Sequence, residues 1–160
     1  MKKALPFFLV SLAVLALDQF TKYLAVRYVL PYEVIPVAPF VNLVYVENIG
    51  SAFGMMKSLG NPFFIVVSAA AIVAVSVIMA REPHYRLSLS LVLGGAAGNL
   101  IDRVARGYVV DFVDLYAGRF HWPAFNVADS ALTVGIILLV AMSLFSSAAN
   151  RAGTGQRRAG

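Results

Sequence analysis

Four stretches of mostly apolar residues, at 5–28, 62–80, 87–104 and 127–147, are separated by segments in which polar residues, proline and glycine collect. Each stretch has about 20 residues, the length an α-helix needs to cross a hydrocarbon core of about 30 Å. Pro62 stands at the first turn of the second stretch, where a missing amide proton costs nothing. The first stretch follows Lys2 and Lys3 as a secretory leader would. It continues through Asp18, Lys22 and Arg27 with no small-residue cleavage site before them, so it reads as a retained helix.

The connecting segments follow a different pattern. Pro31, Pro36 and Pro39 forbid a continuous helix in residues 31–61, and residues 40–46 are rich in Val, Leu and Tyr, which predicts a small β element outside the membrane. Residues 106–125 combine Gly107, Gly118 and Pro123 with Tyr108, Tyr116 and Trp122. They read as a connection with room for an interfacial helix whose aromatic residues form a membrane belt. Residues 151–160 are Gly, Ala and Arg for the most part and read as a disordered tail. The expected fold class is an all-α membrane protein with four transmembrane helices and a small extracytoplasmic β element, forming one domain over residues 1–160.

Composition supports the membrane as solvent. Of 160 residues, 60% are hydrophobic and 13% charged, too few charges to cover a water-soluble surface. The absence of cysteine removes disulfides, thiolate nucleophiles and cysteine-based metal sites. The net charge of +5 sits beside the apolar stretches and not in clusters interleaved with stacking aromatics, so it argues topology and no nucleic-acid partner. One side of four crossings collects Lys2, Lys3, Arg81, Arg86, Arg151, Arg157 and Arg158. The other has Lys57, Arg106 and Arg119, offset by Glu33, Glu47, Asp111 and Asp114, which makes both termini cytoplasmic.

With that orientation the polar residues converge. At about 1.5 Å per residue, Asp18 lies roughly 20 Å up the first helix and Asn99 roughly 18 Å up the third, both in the outer leaflet. Asp129 heads the fourth helix, and Asp111 follows the third after Gly107. Asp18 and Lys22 share a helix face and neutralise each other, a structural pairing first and substrate contact or site support second. Asn99, Asp102 and Arg103 make one stripe directed into the bundle, readable as an internal salt-bridge network. Gly94 and Gly98 form a small-residue pair suited to close helix contact.

The carboxylates singled out for chemistry are Asp111 and Asp129. His84 falls on the cytoplasmic hinge, His121 reads as an interfacial residue, and Ser130 lacks a general base, which leaves no serine mechanism of any strength. Two aspartates in a poorly hydrated site share one proton: the ionised partner activates water while the protonated one hydrogen-bonds the scissile carbonyl. Aspartates at a helix head are also ordinary residues that favour its dipole, and on chemistry alone both readings stand. A proton or ion conduit and a non-catalytic scaffold are the competing classes. A conduit would place ionisable residues through the full depth, whereas the second helix has none.

Five ordered blocks bear on the choice: DQFTK at 18–22, ENIGSAFG at 47–54, GNLIDR at 98–103, GYVVDF at 107–112 and FNVADS at 125–130. Together they resemble the lipoprotein signal peptidase family over nearly the whole chain. Glu47 and Ile49 depart from the residues more usual in their block. The resemblance implies a bacterial inner-membrane aspartic endopeptidase that cuts prolipoproteins before a diacylglyceryl-modified cysteine, with Asp111 and Asp129 catalytic. It implies supporting or substrate-binding roles for Asn48, Gly50, Asn99, Asp102, Arg103 and Asn126, and less definite ones for Asp18 and Lys22. It implies no metal and no cofactor. The expected partners are the lipid-modified substrate and membrane lipids, the expected state a monomer, and the expected site lies near the outer face.

Overall fold

The structure is a computed structural model that describes residues 5–50 and 60–157, with side chains described up to residue 145. Four helices dominate: α1 (Leu5–Tyr28), α2 (Gly60–Arg81), α3 (Arg86–Ala105) and α4 (Val127–Arg157). A 3₁₀ turn at Pro83–Tyr85 joins α2 to α3. Helices α1, α2 and the Val127–Phe145 part of α4 are long and apolar enough to cross a membrane. Their outer faces present Leu9, Leu12, Phe20, Val66, Val73, Ile137 and Leu144, an exposure that lipid rather than water would satisfy.

Helix α3 differs because it is the centre of the bundle. It packs against α1, α2 and α4, while α1 and α2 scarcely touch each other. Its buried face carries Ser88, Ser90, Gly94, Gly95, Gly98, Asn99 and Asp102. Small residues there let backbones approach: a Cβ added at Gly94 would lie 2.7 Å from the Ser11 carbonyl oxygen, and one at Gly95 2.5 Å from the Ala128 carbonyl oxygen. Gly98 lies against Asp18 and Ala128. The close contacts expected of Gly94 and Gly98 are therefore present, against α1 and at the α1–α4 junction.

Two expectations need correction. The β structure is larger than a small element within residues 31–61: β1 (Val34–Ala38), β2 (Val41–Asn48), β3 (Val109–Ala117) and β4 (Phe120–His121) form one antiparallel sheet in that order. Residues 106–125 accordingly hold two strands and a turn, and no interfacial helix. Strand formers Val109, Val110, Phe112 and Val113 are bounded by Gly107 and Gly118, whose φ values of +86° and +61° glycine adopts without strain, so the segment turns sharply and pairs with β2. Helix α4 also runs on to Arg157, through much of the segment expected to be a disordered tail; residues 158–160 lie outside the described residues. Residues 51–54 of the ENIGSAFG block lie outside them too.

Candidate active site

The sheet lies over one end of the bundle, and β3 delivers Asp111 there. Val46 of β2 pairs with Asp111 and Leu43 pairs with Val113, so β2 spends one extra residue between them. This bulge resets the alternation of faces and places Val46, Asn48, Val109 and Asp111 on one side. Asn48 then reaches Asp111 diagonally. On the other side Val110 and Phe112 pack on Ala25 of α1, which fixes the strand to the bundle.

Asp129 comes from a different element. The segment before α4 bonds to β3, with Phe125 accepting from the amides of Phe112 and Val113 and donating to Val113. Asn126 follows as the N-cap of α4: its Oδ1 accepts from the Asp129 amide at 2.9 Å, while the Asp129 carboxylate accepts from the Asn126 amide at 3.3 Å. The same segment thus caps the helix and turns Asp129 toward Asp111, whose charges repel each other.

Three asparagine amides face these carboxylates, and each has its orientation decided by what its oxygen accepts. Asn48 Oδ1 takes the Gly50 amide at 2.9 Å, so its Nδ2 donates to Asp111 Oδ2 at 2.9 Å. Asn126 Oδ1 is held by the cap, so its Nδ2 donates to Asp111 Oδ1 at 2.6 Å. Asn99 Oδ1 accepts from Lys22 Nζ at 3.0 Å, so its Nδ2 donates to Asp129 Oδ1 at 2.8 Å. A flipped amide at any of the three would set oxygen against oxygen. Gly50 itself has φ +100°, and a Cβ there would enter the Phe64 ring.

Beneath the asparagines lies a buried charge cluster. Lys22 uses its three ammonium protons on Asp18 at 2.9 Å, Asp102 at 3.0 Å and Asn99. Asp18 also accepts from the Ala128 amide at 2.9 Å, and Asp102 from the Val110 amide at 3.1 Å and from Arg106 at 3.0 Å. One lysine and two aspartates therefore tie α1, α3, β3 and α4 together. Breaking such a cluster by removing one partner leaves an uncompensated buried charge. Gln19, not singled out as a site residue from the sequence, reaches Asp18, the Gly98 carbonyl and Asp102. Its signal in the sequence is its place inside DQFTK, between two members of the cluster.

Arg103 lies above the ring of Phe64, 5.3 Å from its centroid, and its charge is felt by Asp129, Asp111 and Asp102. Its Nε is buried with no hydrogen-bond partner among the described residues. Burial, the neighbouring charge of Asp129 and the weaker opposition of Asn48, Asn126 and Lys22 push the Asp111 carboxyl up to about 7. A cavity of about 350 Å³ opens beside Asp129, walled by Leu115, Trp122, Phe125 and Val134 with Ser130 and Thr133. Among the described residues no cluster of His, Asp and Glu has the form of a metal site.

The sequence-marked residues Asn48, Gly50, Asn99, Asp102, Arg103, Asp111, Asn126, Asp129, Asp18 and Lys22 are all brought to this one end. His121, read as an interfacial residue, bonds Asp114 at 2.9 Å and stacks on Tyr116. Asn42 holds the same carboxylate at 2.8 Å. Burial tends to raise the Asp114 carboxyl, but its bonds to Asn42 and His121 win and hold it below the usual carboxylate range.

Comparison with known proteins adds lineage to this geometry. The family described as signal peptidase (SPase) II matches residues 10–145. The chain is 47% identical over 131 residues to a lipoprotein signal peptidase of Thermodesulfovibrio yellowstonii, covering 82% of this chain and 89% of that protein. It is 48% identical over 139 residues to one of Syntrophotalea carbinolica, covering 82% and 86%. A solved bacterial membrane enzyme superposes with a TM-score of 0.81 at 31% identity, over 91% of this chain and 90% of that one.

Proposed function

We propose that this chain, which belongs to the signal peptidase II family, removes signal peptides from prolipoproteins with Asp111 and Asp129 as its catalytic pair. It is a protease by family, and what the proposal adds is the assignment of roles. The observation that carries it is the convergence of two carboxylates from separate elements, each held by asparagine amides whose orientation is fixed from behind.

Asp129, at the head of α4, is assigned the negative charge and takes a proton from a water molecule, which attacks the scissile carbonyl carbon. Asp111 holds the proton at rest and hydrogen-bonds the carbonyl oxygen as the tetrahedral intermediate forms. The pair then returns a proton to the leaving amine, the C–N bond breaks, and the starting protonation is restored. Arg103, with an unused buried Nε, is suited to a substrate carbonyl. The diacylglyceryl chains remain in lipid while the peptide bond enters laterally, and the cavity beside Asp129 provides apolar wall for that entry.

In this reading α3 is the fourth crossing, its polar face shielded by its three neighbours, and the protein works as a monomer in the bacterial inner membrane. The termini and residues 81–86 face the cytoplasm, and the sheet and the aspartates lie at the outer face. The absence of native cysteine makes labelling direct: a membrane-impermeant thiol reagent should reach a cysteine at position 119 and not one at position 84 in intact cells. The reverse pattern would invert the orientation.

The catalytic assignment is tested by Asp111→Asn and Asp129→Asn. Each keeps side-chain size but cannot take or return a proton, so cleavage should fall at least about a thousandfold with the protein still folded. Asp114→Asn, on the same strand but bound to Asn42 and His121, should retain activity. Cleavage of a lipid-modified precursor near the wild-type rate by either of the first two variants would end the dyad assignment.

A further inference from the structure

The end of the bundle remote from the aspartates holds a feature that the catalytic reading does not use. Helices α1 and α2 each pack on α3 but scarcely on each other. Between the start of α1 and the end of α2 is a cavity of about 190 Å³ lined by Phe7, Phe8, Ser76, Met79, Ala80 and Arg86. Its walls are apolar apart from the Ser76 hydroxyl, which donates to its own helix at Ile72, and the Arg86 guanidinium.

Arg86 is held in place without being neutralised. Its Nε donates to the Met79 carbonyl at 3.2 Å, one of the last carbonyls of α2. That bond fixes the guanidinium plane at the cavity and leaves the terminal nitrogens to another acceptor. Among the described residues neither Arg86 nor Arg81, at the end of α2, forms an ion pair, and α3 carries no acidic residue in its first turn. Glu82 is the one carboxylate in this hinge and it is exposed.

A planar cation held at an apolar slot, at the ends of two helices long and apolar enough to cross a bilayer, matches one occupant. We propose that this cavity binds an anionic phospholipid of the surrounding bilayer. The phosphate lies under the Arg86 guanidinium, and one acyl chain runs between α1 and α2 against Phe7, Phe8, Met79 and Ala80. The lipid bridges two helices that otherwise meet only through α3, so binding stabilises the fold.

The test uses the full chain purified in neutral detergent, with phosphatidylglycerol, phosphatidylcholine of the same acyl chains, or inorganic phosphate added separately. Phosphatidylglycerol should raise the melting temperature by about 5 °C or more beyond phosphatidylcholine, the size of shift expected for ligand near a hundred times its Kd, and should survive as an adduct in native mass spectrometry. Arg86→Gln should lose that difference. Because Arg86 also caps α2, Ala80→Leu provides an independent arm: it fills the lipid-facing slot and leaves the Met79 bond intact, and it should abolish the difference too. Equal stabilisation by phosphatidylcholine would mean that any acyl chain fills the slot. An equal effect of inorganic phosphate would mean that the chain is not held. Either result, or a phosphatidylglycerol effect that persists in both variants, overturns the proposal.

Discussion

Asparagine rather than aspartate does the orienting work in this candidate site because its amide accepts at one atom and donates from another, which a carboxylate cannot do. Asn126 shows what depends on that duality. Its oxygen caps α4 through the Asp129 amide, and its nitrogen donates to Asp111. Asn126→Asp keeps the cap oxygen, yet it replaces the donor with a further buried carboxyl beside Asp111 and Asp129, so stability should fall while that carboxyl is ionised. Activity should drop by at least about a hundredfold, and the loss of stability should shrink as pH falls and the added carboxyl is protonated. Asn126→Ala loses both functions, and its stability should fall by about 1–2 kcal/mol as well. Measuring turnover and thermal unfolding on the two variants separates cap from donor; an active Asn126→Asp would show that the donor is dispensable. Lys22 works by the same logic at one remove, since its contact with Asn99 decides which end of that amide meets Asp129.

At the scale of elements, helices were readable from the chain because bilayer-spanning length and apolarity are strong signals, and the bounds expected for α1 and α3 agree with those observed within a residue or two. The sheet was readable only in part. Residues 40–46 announce β2 by local composition, but β3 depends on pairing with a strand more than 60 positions away, and its aromatics and glycines read equally well as an interfacial connection. The same limit explains why Asp114 and His121 were not joined in advance: the β3–β4 pairing brings them together. The residues of the candidate site, by contrast, are marked by their motifs and the fold brings them to one end, while the amide orientations and the bulge that aims Asp111 exist only in three dimensions. Packing on α3 gives this scale its prediction. Gly94 lies against backbone of α1, and backbone cannot move aside as a side-chain tip can. Gly94→Leu should lower stability by at least about 2 kcal/mol and reduce insertion yield. Unchanged thermal unfolding in detergent would refute the contact.

Over the whole molecule, the end that carries the aspartates must keep its buried charges balanced, and the balance bears on protonation. Lys22, Arg103 and Arg106 contribute three positive charges near the site, and Asp18, Asp102, Asp111 and Asp129 would contribute four negative ones if all ionised. One bound proton makes the set neutral, in accord with an Asp111 carboxyl pushed up to about 7 by burial and by Asp129. The sign of the pH dependence follows. An unfolded aspartate titrates near about 3.9, so the folded protein binds this proton more tightly than the unfolded chain. The corresponding stability is fully present below about pH 4 and is lost as pH rises through about 7. Asp111→Asn removes the titration, so its melting temperature should match the parent at about pH 4 and exceed it increasingly toward pH 8. Activity should follow the same proton. With the acid partner ionised, turnover should decline above an apparent value at or above 7, approaching tenfold per pH unit, and that value belongs to the coupled pair rather than to Asp111 alone. A pH series of turnover at saturating lipid-modified precursor, run beside thermal unfolding of parent and Asp111→Asn, measures both limbs. A rate constant that stays flat from about pH 6 to 10, with parent and variant melting in parallel throughout, would show that the proton assigned to Asp111 is neither held in the folded enzyme nor used in the reaction.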